Sequence, residues 1–292
     1  MTNRTIIIQL SLISFVLFFL SGPAYAKTVE PVLDYYAEEK AKQGFDLATK
    51  LYDQQLDKEA LTEAVKILSL YPTAAKVPDI LFLIGTIHAD ISNPGNSPQL
   101  AIKTWQQLID RYPQYPPSDR VIMQLAEKWE SLQEWQQAVQ AYDRIPVQYA
   151  KSIYVDDALF WSARAEAKLN RFAEAKKKWG IIINNYPDAN DDFMKLYGDL
   201  CDDSLMLIAE VSIAQQDTTG ATTAWEKVVA KYPDSPYWPV ALYHLGKIYQ
   251  ETYYQPTVAI TYYQKIIEYI PDSTWQRLAK LKLDQCRKGS GQ

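Results

Sequence analysis

Apolar residues along this chain recur at helical spacing, and they stay in phase over most of its length. A large apolar residue, a second one three positions on, and then Tyr-Pro appear as Trp105, Leu108, Tyr112-Pro113. The phrase returns as Trp179, Ile182, Tyr186-Pro187 and as Trp225, Val228, Tyr232-Pro233. A proline drives the residue before it out of the helical region, so each phrase predicts a helix that ends at the tyrosine. Twelve residues before each such proline stands an alanine: Ala60, Ala101, Ala175, Ala221 and Ala259, with Ala138 completing the series ahead of Ala150. About twelve positions further upstream lies a second small residue, giving Ala48, Gly85, Ala126, Ala163, Ala209 and Gly246. Members of this second set are 37, 41, 37, 46 and 37 residues apart, a 37-residue unit with two insertions.

Small residues at matched positions on successive helices predict antiparallel hairpins whose backbones approach closely at the crossing point. Leu47, Ile84, Leu125, Ile208 and Leu245 directly precede the small residue of the first helix and are expected to fill the seams, with Ser162 as the exception. The fold class is therefore all-α, with six helix-turn-helix repeats at about 35–72, 79–113, 120–150, 157–187, 203–233 and 240–271. Asp272-Ser273 can cap one more helix over 273–287, with Trp275, Leu278, Leu281 and Leu283 as its apolar face, leaving 288–292 as a flexible tail. The in-phase small residues and terminal prolines resemble the tetratricopeptide repeat family, over about residues 31–287. The 37-residue unit ending in Tyr-Pro is most similar to bacterial envelope members of that family. The resemblance implies a right-handed superhelical solenoid whose concave groove is lined by the first helices and holds protein or peptide partners.

The first 26 residues read as a cleavable signal peptide. Arg4 supplies the positive start, Ile6 to Leu20 the apolar run, and Ala24-Tyr25-Ala26 the cleavage site, which leaves 27–287 as the repeat domain. No later apolar run is long enough to cross a membrane, and a periplasmic or secreted protein is expected. The chain carries 30 basic and 35 acidic residues, and losing Arg4 takes the net charge from −5 to −6. That mildly acidic balance, without a basic stripe, speaks against nucleic acid as a partner.

Catalytic chemistry finds little support. His88 and His244 lie four repeats apart with no nucleophile and orienting group beside either, so no catalytic residues are assigned. Glu127 and Glu210 are two repeats apart, about 20 Å at the usual helix spacing, too far for a hydrolytic carboxylate pair. Cys201 and Cys286 are similarly separated and are expected to be buried free thiols. In the longer insertion, Asp188, Asn190, Asp192 and Asp199 follow a calcium-loop spacing, but Phe193 occupies the place of the required glycine. A solvated acidic turn that caps the next helix is expected instead, and no metal or cofactor. The other insertion, 91–98, carries two prolines and a glycine and is expected to project as a loop.

Three residues before the small residues of the first helices stand Phe45, Phe82, Met123, Phe160, Met206 and Tyr243, with Trp161 after Phe160. One residue after them stand Thr49, Thr86, Glu127, Arg164, Glu210 and Lys247. An apolar row at this spacing fits core packing against the next hairpin, and it also fits a recognition groove. Phe82, Met123, Glu127, Phe160, Trp161, Arg164, Tyr243 and Lys247 are the candidate groove residues. Relatives that clamp a free C-terminal carboxylate carry Lys and Asn in the apolar row, so carboxylate capture is not expected here. The function expected is a non-enzymatic scaffold for protein partners. The alternative is a component of an envelope machine, in outer-membrane protein assembly or Tol-Pal-linked cell division.

Overall fold

The computed structural model describes residues 35–90 and 92–289; the expected signal peptide over 1–26 and the last three residues of the chain lie outside them. The chain divides into two compact units, Met1–Leu132 and Gln133–Gln292. The first contains α1 (Tyr35–Asp53), α2 (Asp57–Leu70), α3 (Val77–Ala89), α4 (Pro98–Arg111) and α5 (Ser118–Ser131). The second contains α6 (Trp135–Tyr142), α7 (Arg144–Gln148), α8 (Val155–Lys168), α9 (Phe172–Asn185), α10 (Leu200–Ala214), α11 (Thr218–Lys231), α12 (Trp238–Glu251), α13 (Pro256–Tyr269) and α14 (Thr274–Gly289). Among the described residues the only extended pairing is a single bridge between Asn190 and Asp199. The architecture is the all-α stack of hairpins that the repeat predicted.

Within each unit a second helix packs on its own first helix and on the first helix of the next hairpin. In the first unit these are α1–α2, α2–α3, α3–α4 and α4–α5; in the second, α8–α9, α9–α10, α10–α11, α11–α12 and α12–α13, closed by α14. All six alanines of the second helices are fully buried, as are Ala48, Ala126, Ala163 and Ala209 on the first helices. The two glycines of that set show what the small residue is for. A Cβ on Gly85 would run into the Trp105 indole, and one on Gly246 into the Tyr263 ring. Backbone and aromatic face meet there with no intervening side chain.

The tyrosine punctuation is equally regular. Tyr71, Tyr112, Tyr149, Tyr186 and Tyr232 each follow the last helical residue and donate the backbone N–H to the carbonyl four residues back, at 2.8 to 3.0 Å. Their φ near −130° and ψ near 60° lie outside the helical region, which the following proline requires in four of the five cases. Inside the hairpins, Gln55, Gln133, Asn170 and Gln216 turn the chain at φ close to 60°, a left-handed conformation taken here without glycine.

Three departures from the sequence expectation have local causes. The second helix of the third repeat is split into α6 and α7 because Pro146 has no N–H for the Tyr142 carbonyl and its ring crowds that turn. In α14 the buried face is Ala279, Leu283 and Cys286, with Trp275 packed alongside, while Leu278 and Leu281 are exposed. The true stripe follows i, i+4, i+8, i+11, and the expected one drifted off it by one residue per turn. The helix also continues to Gly289, so the tail expected from 288 does not begin there. Leu47 is exposed, since α1 is the first described helix and no hairpin precedes it within the described residues.

Ala substitutions at the glycines should separate packing from propensity. At Gly85 or Gly246 the collision with an aromatic ring outweighs the gain in helix propensity, and thermal or urea unfolding should show a loss of about 1–3 kcal/mol. Gly180 in α9 has nothing within 4 Å of a would-be Cβ, and Gly180→Ala should stabilise by roughly 0.5–1 kcal/mol.

Candidate functional site

The structure divides the eight candidate groove residues between the two units. In the first, Met123 is fully buried, Phe82 and Glu127 are half-buried, and the Glu127 carboxylate lies 3.6 Å from the Lys128 ammonium. In the second, Phe160 and Trp161 are buried at 0% and 2% exposure, while Arg164 and Tyr243 are half-buried and Lys247 is exposed. Phe160, Trp161 and Met123 are therefore core side chains, not exposed anchors: apolar rings on a first helix pack beneath the face that the charged row presents. Tyr243 packs against His244, Tyr263 and Trp275 and so ties α12 to the closing helix.

A cleft of about 390 Å³ opens between α10, α11 and α12. Met206, Ile213, Trp225, Val240 and Ile248 form its apolar lining, Ile213 exposed and Met206 and Trp225 buried, with Glu210, Lys247 and Glu251 as its charged members; Glu251 pairs with Lys282 at 2.6 Å. The His244 ring stacks on Trp225, centroids 4.6 Å apart and planes 12° from parallel. Burial, and then the Lys247 charge, hold the His244 imidazole below its ordinary pKa, so the ring is neutral at pH 7 and serves as a flat surface beside the indole. The lining offers apolar contact with Glu210, Lys247 and the Lys282-paired Glu251 around it, a combination suited to an amphipathic segment.

Lys247 and Glu210 could be found from sequence because they follow the small residue in phase. Trp225 and His244 were not found as site residues. Trp225 reads as seam and His244 as an isolated histidine. The available signal was His244 at i−3 from Lys247, on the same helical face.

One turn deeper, α8 carries a polar network where the sequence had its odd serine. Ser162 is fully buried; its hydroxyl donates to Asp143 Oδ1 at 2.7 Å and accepts from Lys178 Nζ at 2.7 Å. Lys178 also reaches both Asp143 oxygens, at 2.8 and 2.9 Å, and Glu166 Oε1 at 3.4 Å. A leucine at 162 would strand the Lys178 ammonium among fewer acceptors, which is why the seam position is polar here alone.

The longer insertion, residues 188–199, is a solvated acidic turn at Asp188, Asn190 and Asp192, which are exposed, but not at Asp191. Asp191 is buried and accepts backbone N–H groups from Met194, Leu196 and Tyr197 at 2.9, 2.7 and 3.0 Å. Asp199 does cap α10, accepting from the Cys201 N–H at 2.8 Å. The loop lays Tyr197 against Phe160 and Trp161, centroids 5.0 and 5.7 Å away. The Arg164 guanidinium covers both the Trp161 and Tyr197 rings, at 4.5 and 5.2 Å. Sequence reading could not find Tyr197, since a loop has no periodic pattern. Asp188, Asn190, Asp192 and Asp199 form no ion cage, and among the described residues no group of three or more His, Cys, Asp or Glu side chains is placed to hold a metal ion.

Cys201 and Cys286 are buried thiols that are not bridged to each other. The Cys201 thiol donates to the Tyr186 carbonyl at 3.2 Å, and burial, then Asp199, push its pKa up to about 11. Among the described residues no helix is long and apolar enough to cross a membrane.

Comparison with known families matches residues 157–189, 203–235 and 240–273 to the tetratricopeptide repeat. Comparison of the sequence with curated proteins finds no match. Among solved structures, a tetratricopeptide repeat protein from Parabacteroides merdae aligns over 86% of this chain and 93% of its own, with 10% identity and a TM-score of 0.51. The protein MamA aligns over 66% of this chain and 96% of its own, with 16% identity and a TM-score of 0.50. Identities this low speak for the fold alone.

Replacing Lys178 by Met should leave Asp143 and Glu166 without their shared cation and destabilise the second unit by about 2 kcal/mol, read by chemical denaturation. The double variant Lys178→Met, Ser162→Ala should recover part of that loss, because it removes one of the stranded polar groups.

Proposed function

We propose that this chain, built from tetratricopeptide repeats, is a non-enzymatic scaffold of the cell envelope, periplasmic or secreted, that holds a segment of a protein partner on the first-helix face of its second unit. The observation that carries this reading is the cleft between α10 and α12. It combines the apolar lining of Met206, Ile213 and Trp225 with the charges of Glu210 and Lys247. An amphipathic helix or extended segment would place an apolar side chain over exposed Ile213 and set polar neighbours against the Glu210 and Lys247 charges. Arg164, one hairpin earlier on the same row, extends the face toward the insertion, and Tyr243 supports it from below. On the first unit, Glu127 and Phe82 hold the equivalent positions and are proposed as a second contact region. The envelope location is supported by the signal-peptide pattern in the first 26 residues. The scaffold role, with no active site of its own, is supported by the match of three segments to the tetratricopeptide repeat.

A photo-crosslinking amino acid placed at Glu210 or Lys247 in cells should yield covalent adducts with envelope proteins, while the same group at exposed Lys177 on α9 should not. Lys247→Glu combined with Ile213→Asp, at an exposed position of the same lining, should reduce adduct yield from the Glu210 position at least about tenfold. Equal labelling from all three positions would sink the assignment of this face.

A further inference from the structure

Asp157, in the first turn of α8, is fully buried, and its Oδ2 has no hydrogen-bond donor facing it. Its Oδ1 receives only a long contact, 3.5 Å, from the Phe193 N–H of the insertion loop. The side chain it meets is the carboxyl of Asp191, the residue that gathers three loop amides. Two buried carboxylates cannot face each other as anions without a large repulsion, but they hydrogen-bond well when one carries a proton. Among the described residues no cation acts on Asp157. Asp156 adds negative charge from its own helix and Asp191 from the loop, and Asp192 acts on Asp156. Where α10 begins, buried Asp202 and Asp203 add two more carboxyls, Asp203 accepting from the Tyr237 hydroxyl at 2.5 Å. The Arg164 guanidinium, on the same helix, lies over the Trp161 and Tyr197 rings.

We propose that the loop over residues 189–199 is a proton-held cover on α8: it is pinned over Phe160 and Trp161 while Asp157 carries a proton shared with Asp191, and it is released when that proton leaves. Release lifts Tyr197 off the two rings and extends the apolar surface next to Arg164. The regulation rests on the first-helix-face reading for what the exposed rings then bind, but the opening itself does not depend on any partner.

The sign follows from the shift. Burial, then Asp191 and Asp156, push the Asp157 pKa up to about 8 in the closed loop. In an open loop the carboxyl returns toward its ordinary value, near 4. The closed state therefore holds an extra proton between these limits. Its advantage is full below the lower value, falls about tenfold per pH unit as pH rises, and levels off above the upper one.

The test is amide hydrogen exchange of the whole mature chain between pH 5 and 8, corrected for the intrinsic pH dependence of exchange. Protection of the Met194, Leu196 and Tyr197 amides should fall by up to about tenfold per pH unit, while amides in α12 stay constant. Asp157→Asn keeps a donor toward Asp191 without the titration, and its loop protection should be flat above about pH 7; a slope below that belongs to Asp203, which accepts from the Gly198 N–H of the same loop and whose pKa burial pushes up to about 6. Above about pH 7, binding of Nile red, an uncharged apolar dye, should rise with pH in the wild type and not in the variant. A flat wild-type profile overturns the proposal, as does a slope above about pH 7 that survives in Asp157→Asn, or loop release without a change in dye binding. If Asp157→Asn does not fold, the wild-type exchange and dye profiles still decide. Loss of crosslinking at Lys247 with an intact exchange slope would reject the partner face and leave the cover standing.

Discussion

The closeness of two helix backbones at a small residue is the constraint from which the rest of the structure follows. Where Gly85 meets Trp105 or Gly246 meets Tyr263, a glycine backbone lies directly against an aromatic ring. Close-packed interiors tolerate neither a void nor an added methyl group at such a point, so the crossing fixes the separation and register of each hairpin. The second helix can then touch the next first helix with its remaining face. This is how one short pattern, repeated, generates a continuous core without any residue distant in sequence having to find its partner.

Periodicity made this part of the molecule readable. Small residues, seam aromatics and Tyr-Pro endings are local rules applied in phase, and the helix ends at Tyr71, Tyr112, Tyr186 and Tyr232 are where the prolines require them. Reading was poorer where a single long-range partner decides. Ser162 looks like a flaw in the seam until Lys178 and Asp143 are placed beside it. The exposed Leu278 and Leu281 of α14 show the same limit: a helix at the end of a stack offers no following repeat against which to check its phase.

The site was half legible for a related reason. Glu210, Lys247 and Arg164 share a repeat position, and the sequence places them on one face. What lies beneath them depends on which rings the neighbouring elements leave uncovered. Phe160 and Trp161 carry the same pattern as potential anchors but are closed over, partly by Tyr197 from an insertion that has no counterpart in the other repeats. Insertions interrupt the rule that makes the remainder predictable, and they are free to carry what the repeat cannot, here a set of buried carboxyls between two hairpins.

The hydrogen-bonded Cys201 thiol has a consequence for chemical durability. With a pKa of about 11, roughly one molecule in ten thousand carries the thiolate at pH 7, and that sulfur is enclosed between α9 and α10. Mixed disulfides form by thiolate attack, so both the nucleophile and its access are suppressed at once. Cys286, buried in the packing of α14 and also pushed upward by burial, is restrained in the same way. Reaction of either thiol with an oxidant should therefore be governed by how often α14 and the start of α10 open, more than by the strength of the oxidant.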